Sequence, residues 1–326
     1  MKEITPVAIR TWSMLGQRGS FGAALTECAA ENPAIVALTA DLCNTSGLDR
    51  FLEAYPDRLF NVGIAEQNLL GVAAGLADSG YVPFATTFAN FATMRACEWV
   101  RHFMGYMRCN VKLVGFGAGF AMEQFGNTHY GVEDVAAIRA IPNIRIFSPA
   151  DGLEVVKCVA AAANDAQPTY IRLTGRMNNP IVHRKDFEFV PGKMVTLREG
   201  GDVAVFATGS MVHRALGACE ELEGLGIRCA LYDAHTINPL DEALSEYCRG
   251  KRLVVSVEEH STVGGLGSAI AERISEIPAN APLLRLGIGQ GYKPAGDYEY
   301  MLEQNRLTKT MIAEDITKRV LEVIVA

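Results

Sequence analysis

Glu66 stands in the stretch NVGIAEQNLLGVAAGL (61–76), among small and apolar residues, with no cation beside it in sequence. An ionised carboxylate buried without a partner is costly, and the usual escape is a raised pKa. An acid that keeps its proton near neutrality can donate it, so the surroundings of Glu66 point to acid–base chemistry. An exposed acid in the first turn of a helix, favoured by the helix dipole, would occupy the same position. Phe88 and Phe91 follow three apart in TTFANF (86–91), a helical spacing that usually means core packing. His129 lies in GNTHYG, a polar loop rich in turn residues, where histidine titrates near physiological pH. Gly264-Gly265-Leu266-Gly267 reads as a tight strand-to-helix connection. It is not G-x-G-x-x-G, and no acid about 20 residues further on completes a dinucleotide site.

These residues need a scaffold, and the hydrophobic pattern describes one. Short strand-like runs at 35–41, 81–88, 111–117, 144–150 and 169–174 alternate with helical stretches such as AEQNLLGVAAGLADSG, NFATMRACEWVRHFMGYM and DGLEVVKCVAAAAND. Such alternation implies a parallel sheet with helices on both faces. It lapses over roughly 175–200, then resumes with strands at 202–209, 227–234, 252–259 and 283–289 and a last helix near 308–325. The expected fold class is α/β: two domains, each a mostly parallel sheet flanked by helices, at 1–180 and 201–326, joined by a linker at 181–200.

The chain has 326 residues, 49 % of them hydrophobic and 21 % charged, with a net charge of −7 spread along its length. That balance argues against a surface for nucleic acid or for an anionic membrane, while allowing a local basic pocket. No apolar run approaches a membrane span, and MKEITPVAIR lacks the apolar core of a signal peptide. Eight scattered cysteines without a C-x-x-C pair read as reduced thiols, and the six histidines do not cluster. A cytoplasmic protein without a metal site of its own is expected.

Taken in order, NVGIAEQN, TTFANF, GNTHYGVED (126–134) and IRIFSPAD (144–151) resemble the pyrimidine-binding half of transketolases. The likeness continues through YDAHTINPLD (232–241), VEEHSTVGGLGSA (257–269) and the closing LGIG…YKPAG segment, over nearly the whole chain. It implies that Glu66 meets the pyrimidine ring nitrogen of thiamine diphosphate. That role requires burial to lift a carboxyl with an ordinary pKa of about 4.3. It also implies that Phe88 and Phe91 pack on the pyrimidine ring, with Met94 where the family often has tyrosine, and that His129 faces the ketose oxygens. Arg18 in GQRGS, Thr45 within Asn44-Thr45-Ser46 and Arg176 in LTGRMN match positions that hold the sugar-phosphate end, with Arg172 a near alternative to Arg176; Arg forks suit such oxyanions. Asp41, ending a strand in TADL, is matched to the cofactor or a partner chain.

Two departures matter. The acid-rich G-E-D-G that precedes T-H in many family members is Gln124-Phe125-Gly126-Asn127 here, and an upstream histidine is replaced within Gly115–Gly119. Polar contacts to the donor sugar are thinned, which points to an unusual ketose, branched, deoxy or otherwise modified. The G-D-G motif through which the family holds Mg²⁺ and the diphosphate is absent. The resemblance therefore implies a C-terminal subunit of a split transketolase. A separate N-terminal subunit would carry that motif, in an α2β2 heterotetramer transferring a two-carbon ketol unit between sugars. The β chain of a 2-oxoacid dehydrogenase and a non-catalytic scaffold subunit are the alternatives, and a deoxyxylulose-phosphate synthase is set further off because those enzymes are single chains.

Overall fold

The structure, a computed structural model, describes residues 4–277 and 280–325. Its strands are β1 Ile35–Thr39, β2 Leu59–Asn61, β3 Val82–Phe88, β4 Lys112–Ala118, β5 Arg145–Phe147, β6 Thr169–Thr174, β7 Val195–Arg198, β8 Val203–Ala207, β9 Cys229–Asp233, β10 Thr236–Asn238, β11 Leu253–Ser261 and β12 Leu283–Ile288. They form a seven-stranded sheet in the order β10-β5-β6-β4-β3-β1-β2 and a five-stranded sheet in the order β12-β11-β8-β9-β7. All pairings are parallel except β10 with β5 and β7 with β9. The interior strands β1, β4, β6, β8 and β9 are buried along their whole length, as expected of runs covered by helices on both faces. No helix among the described residues is long and apolar enough to cross a membrane.

Local chemistry explains the helix that opens the chain and the one after β5. The first, Pro6–Glu31, starts with Thr5 accepting from Ala8 N and with proline at its N-terminus, where the missing N–H is harmless. It kinks at Gly16, whose φ of 68° lies in the region glycine tolerates best. A side chain there would strike the backbone of Arg176 and Met177, so the kink lets those residues pack close. The second, Gly152–Ala163, is capped by Asp151, which accepts from Glu154 N at 3.0 Å.

Three short strands were not legible in the pattern: β2, β7 and β10. Each has only three or four residues and lies at a sheet edge. β7 falls inside the stretch read as a linker. β10 comes from the C-terminal half of the chain yet pairs with β5 in the first sheet, Thr236 opposite Phe147 and Asn238 opposite Ile146. The segment 91–106, read as one helix, is two π-helical stretches, Phe91–Arg95 and Val100–Tyr106, around a single α-turn.

The seam between the sheets is polar and buried. His183 Nε2 lies 2.9 Å from Asp233 Oδ2 and 3.4 Å from Glu154 Oε1, and its ring stacks on Phe187. All three polar side chains are nearly inaccessible. Burial opposes charge on His183, but the hydrogen bonds to Asp233 and Glu154 outweigh it and the imidazole is pushed up to about 11. A group raised in the folded state stabilises fully below its unfolded value, about 6.5, and loses that contribution as pH climbs through the folded value. His183→Ala should therefore lose about 3 kcal/mol at pH 6 in urea unfolding. The gap to the native sequence should close as pH rises from about 6.5 towards about 11. A gap independent of pH would mean that the imidazole is neutral.

Candidate active site

The carboxyl ends of β1, β3, β4 and β6 meet along one edge of the first sheet, which is where ligand sites of open α/β sheets lie. Glu66 opens the helix Glu66–Asp78 and is 2 % exposed. Phe88 ends β3, and Phe91 begins the π-helical turn that follows. Their rings stand at 87° with centroids 5.6 Å apart. His129, from the loop after β4, completes the group, its ring 5.4 Å from Phe88 and 5.2 Å from Phe91. The loop is anchored to the turn by Asn90, whose Nδ2 donates to Thr128 O at 2.6 Å. The His129 Nδ1 lies 2.9 Å from the Thr128 hydroxyl. Burial and then the nearby Arg95 push the His129 imidazole below its ordinary value.

Glu66 is buried, as its neighbours suggested, but it is not without a cation. Arg95 Nη1 donates to both carboxylate oxygens, at 2.9 and 3.0 Å. The guanidinium carbon of Arg95 also lies 3.9 Å from the centre of the Phe91 ring. The expectation of an uncompensated acid fails because its partner is 29 positions away in sequence. The legible signal was a basic residue four positions after Phe91, one helical turn along.

Other expected residues are distributed as follows. Met94 is 56 % exposed on the same turn. Asp41 follows β1 with a φ of 61°, held by Asn61, whose Nδ2 donates to Asp41 Oδ1 at 2.9 Å while its Oδ1 accepts from Asp41 N. Arg18 donates to Thr45 O at 3.1 Å, and burial lowers its pKa. Arg18 and Arg176 line a common cleft of about 620 Å³ with Glu123, Ser210, Arg214 and Tyr298. Arg176 Nε pairs with Glu123 at 2.6 Å, and Arg214 pairs with Glu299. Arg214 belongs to the second domain and was missed, since nothing local to it suggests a shared cleft. Arg172, the near alternative to Arg176, is removed from any ligand: it is buried and its Nε donates to Asp134 at 2.8 Å. The turn at Gly264–Gly267 offers no anion site either, because Glu258 accepts from Leu266 N at 2.7 Å and Gly267 N at 2.8 Å.

The pyrimidine-binding domain model of transketolases matches residues 14–180, and the transketolase C-terminal domain model matches residues 192–310. The chain belongs to the transketolase family. It is 40 % identical over 299 residues to the 6-deoxy-6-sulfo-D-fructose transketolase subunit SqwH of Clostridium sp. (strain MSTE9), covering 90 % of this chain and 92 % of that one. It is 39 % identical over 282 residues to an apulose-4-phosphate transketolase subunit of Actinobacillus succinogenes, covering 86 % and 90 %. A 1-deoxy-D-xylulose-5-phosphate synthase of Caldanaerobacter subterraneus is 38 % identical over 301 residues, with 92 % of this chain covered but only 48 % of that enzyme. That enzyme class stands nearer in sequence than its single-chain build suggested. A solved structure described as a split gene transketolase, inactive beta4 tetramer, superposes with a TM-score of 0.84 at 41 % identity, covering 94 % of this chain and 98 % of that one. The chain is thus a transketolase-type subunit, and thiamine-diphosphate-dependent ketol transfer is its chemistry.

The residues present suit the pyrimidine end of that cofactor: the buried Glu66 carboxyl is linked through Arg95 to Phe91, whose ring packs with those of Phe88 and His129. No metal-ligand group lies among them. Among the described residues the single group of His, Cys, Asp and Glu side chains close enough to hold an ion is Glu154, His183 and Asp233, at the domain seam.

Packing explains why the upstream transketolase histidine is absent. Gly117 has a φ of 68°, and a Cβ there would lie 2.6 Å from Met122 Sδ; a Cβ on Gly115 would lie 2.5 Å from the Tyr170 hydroxyl. Gly119, with a φ of 67°, is crowded by Glu259. The side chains of Met122, Tyr170 and Glu259 take the space that a histidine would need. Gly117→Ala should lower stability by about 1–3 kcal/mol through its left-handed backbone, read as a fall in thermal midpoint. An unchanged midpoint would show that the loop relaxes freely.

Proposed function

We propose that this chain is the C-terminal subunit of a split transketolase, working with a separate chain that holds Mg²⁺ and the cofactor's diphosphate, in an α2β2 assembly. The supporting observation is that Phe88, Phe91 and His129 pack together at the carboxyl edge of the first sheet, with Glu66 tied to Phe91 through Arg95. Bound thiamine diphosphate supplies the carbon–carbon chemistry. Phe88 and Phe91 wall the pyrimidine ring, with Met94 covering the outer side and Asp41 at the boundary with the partner chain. The Glu66 carboxyl would hold the ring nitrogen by a hydrogen bond, a contact that would tune the cofactor's amine. His129 meets the ketose oxygens. With its pKa lowered it is neutral at pH 7, so it orients substrate by hydrogen bonding without adding charge.

Arg18, Thr45 and Arg176 receive the far end of the sugar. The relatives are named for 6-deoxy-6-sulfo-D-fructose and for apulose 4-phosphate, each of which carries an anionic group, a sulfo group or a phosphate.

Glu66→Gln should remove most ketol transfer while leaving assembly with the partner intact on size-exclusion chromatography. Full turnover of that variant would overturn the acid's role. EDTA should abolish activity and excess Mg²⁺ should restore it. Replacing Arg18 and Arg176 by Met should raise KM for an anion-tailed ketose by roughly 10–100-fold, the worth of one or two charged hydrogen bonds. KM for an uncharged ketose should hardly change; equal effects on both would remove these residues from the tail site.

A further inference from the structure

We infer that Arg95 is a built-in competitor for the pyrimidine slot, and that its displacement sets how tightly this chain takes thiamine diphosphate. The inference rests on the function proposed above and concerns a residue that the family resemblance does not single out.

Three observations converge on it. The guanidinium forks onto Glu66, with one nitrogen 2.9 and 3.0 Å from the two carboxylate oxygens. Its central carbon lies over Phe91, 3.9 Å from the ring centre. It is close enough to His129 to depress that imidazole, although burial is the larger cause. A planar cation that donates to Glu66 and covers Phe91 takes the two partners that an aminopyrimidine ring needs, a hydrogen-bonding carboxyl and an aromatic face. Both groups cannot hold them at once.

The pairing also engages the carboxyl oxygens that the ring nitrogen would meet. Binding therefore requires Arg95 to leave, and the geometry permits it. Arg95 is 42 % exposed while Glu66 is 2 % exposed, so the arginine can swing into water and the acid stays in place. Arg95 ends a π-helical turn, which closes at Ala96 by a bond to Phe91 O. Such turns are frequent where a helix is adapted to a functional site. The Gln67 amide donates to Arg95 O at 3.3 Å, tying that turn to the helix of Glu66 and leaving the guanidinium to move by its side-chain torsions alone.

Arg95 thus keeps a buried acid paired and an aromatic face covered until the cofactor arrives. The residue should weaken cofactor binding, not strengthen it, which is the opposite of what an arginine near a diphosphate would do.

The test uses the complex of this chain with its metal-binding partner. The dissociation constant of thiamine diphosphate, in the presence of Mg²⁺, is measured by calorimetry for the native complex and for Arg95→Ala and Arg95→Lys. Circular dichroism and co-elution with the partner check that each variant is folded and assembled. Arg95→Ala should bind about tenfold more tightly, the worth of one half-exposed ion pair with a ring contact. Arg95→Lys should fall between, since an ammonium cannot lie on the ring as a plane does. Unchanged or weaker binding by a folded Arg95→Ala complex would overturn the inference and make Arg95 a structural or cofactor-holding residue. If the native complex binds no thiamine diphosphate and transfers no ketol unit, the functional reading itself fails and this inference falls with it.

Discussion

A single fully buried guanidinium organises the molecule. Arg172 leaves the end of β6 and donates to Asp134 at 2.8 Å, to Gly131 O at 3.0 Å and to Glu259 O at 2.9 Å. Those acceptors belong to the helix after the His129 loop, to the return of that loop, and to β11 of the second sheet. Asp134 also accepts from the Tyr170 hydroxyl at 2.7 Å. Removing one partner from a buried charge pair is among the most damaging changes a core can suffer. The position of the His129 loop and the docking of the second domain therefore depend on the same ion pair.

A second buried acid works in the same seam. The Glu259 carboxylate accepts from Phe120 N and from the Tyr298 hydroxyl, both at 2.6 Å, and from Ser210. It joins the loop after β4 to the starts of two helices, Met211–Gly224 and Tyr298–Gln304. His260 beside it is neutral, pushed down to about 4 by burial, and accepts from Ala136 N. The second domain thus fixes, through one strand, the loop that carries His129 and a wall of the arginine-lined cleft. Its part in the site is mechanical as well as direct.

The parallel sheets were legible because their interior strands are unbroken apolar runs, such as IVALT and VAVFA, bounded by turn residues. The edge strands were not: TIN and LFN are too short to show a period, and β10 owes its place to a partner nearly 90 positions away. The candidate site was legible as ordered motifs, and Glu66 as an acid in apolar company. What escaped was everything made by long-range approach: the Arg95 partner of Glu66, Arg214 in the shared cleft, and the burial of Arg172. Residue type gives each of these three the same description, a basic side chain. Only packing decides that one is a core clamp, one a ring cover and one a cleft wall.

The exchange of β10 has a further consequence for how such a protein can be divided. The first sheet takes its last strand from beyond β9, so a cut at the segment between the two domains would leave β5 with its hydrogen-bonding edge bare. Exposed edges of this kind invite pairing with other chains. The second domain would at the same time lose the seat of His183 between Glu154 and Asp233. The boundary that composition makes most conspicuous is therefore crossed by a shared sheet, and the two halves are topologically joined.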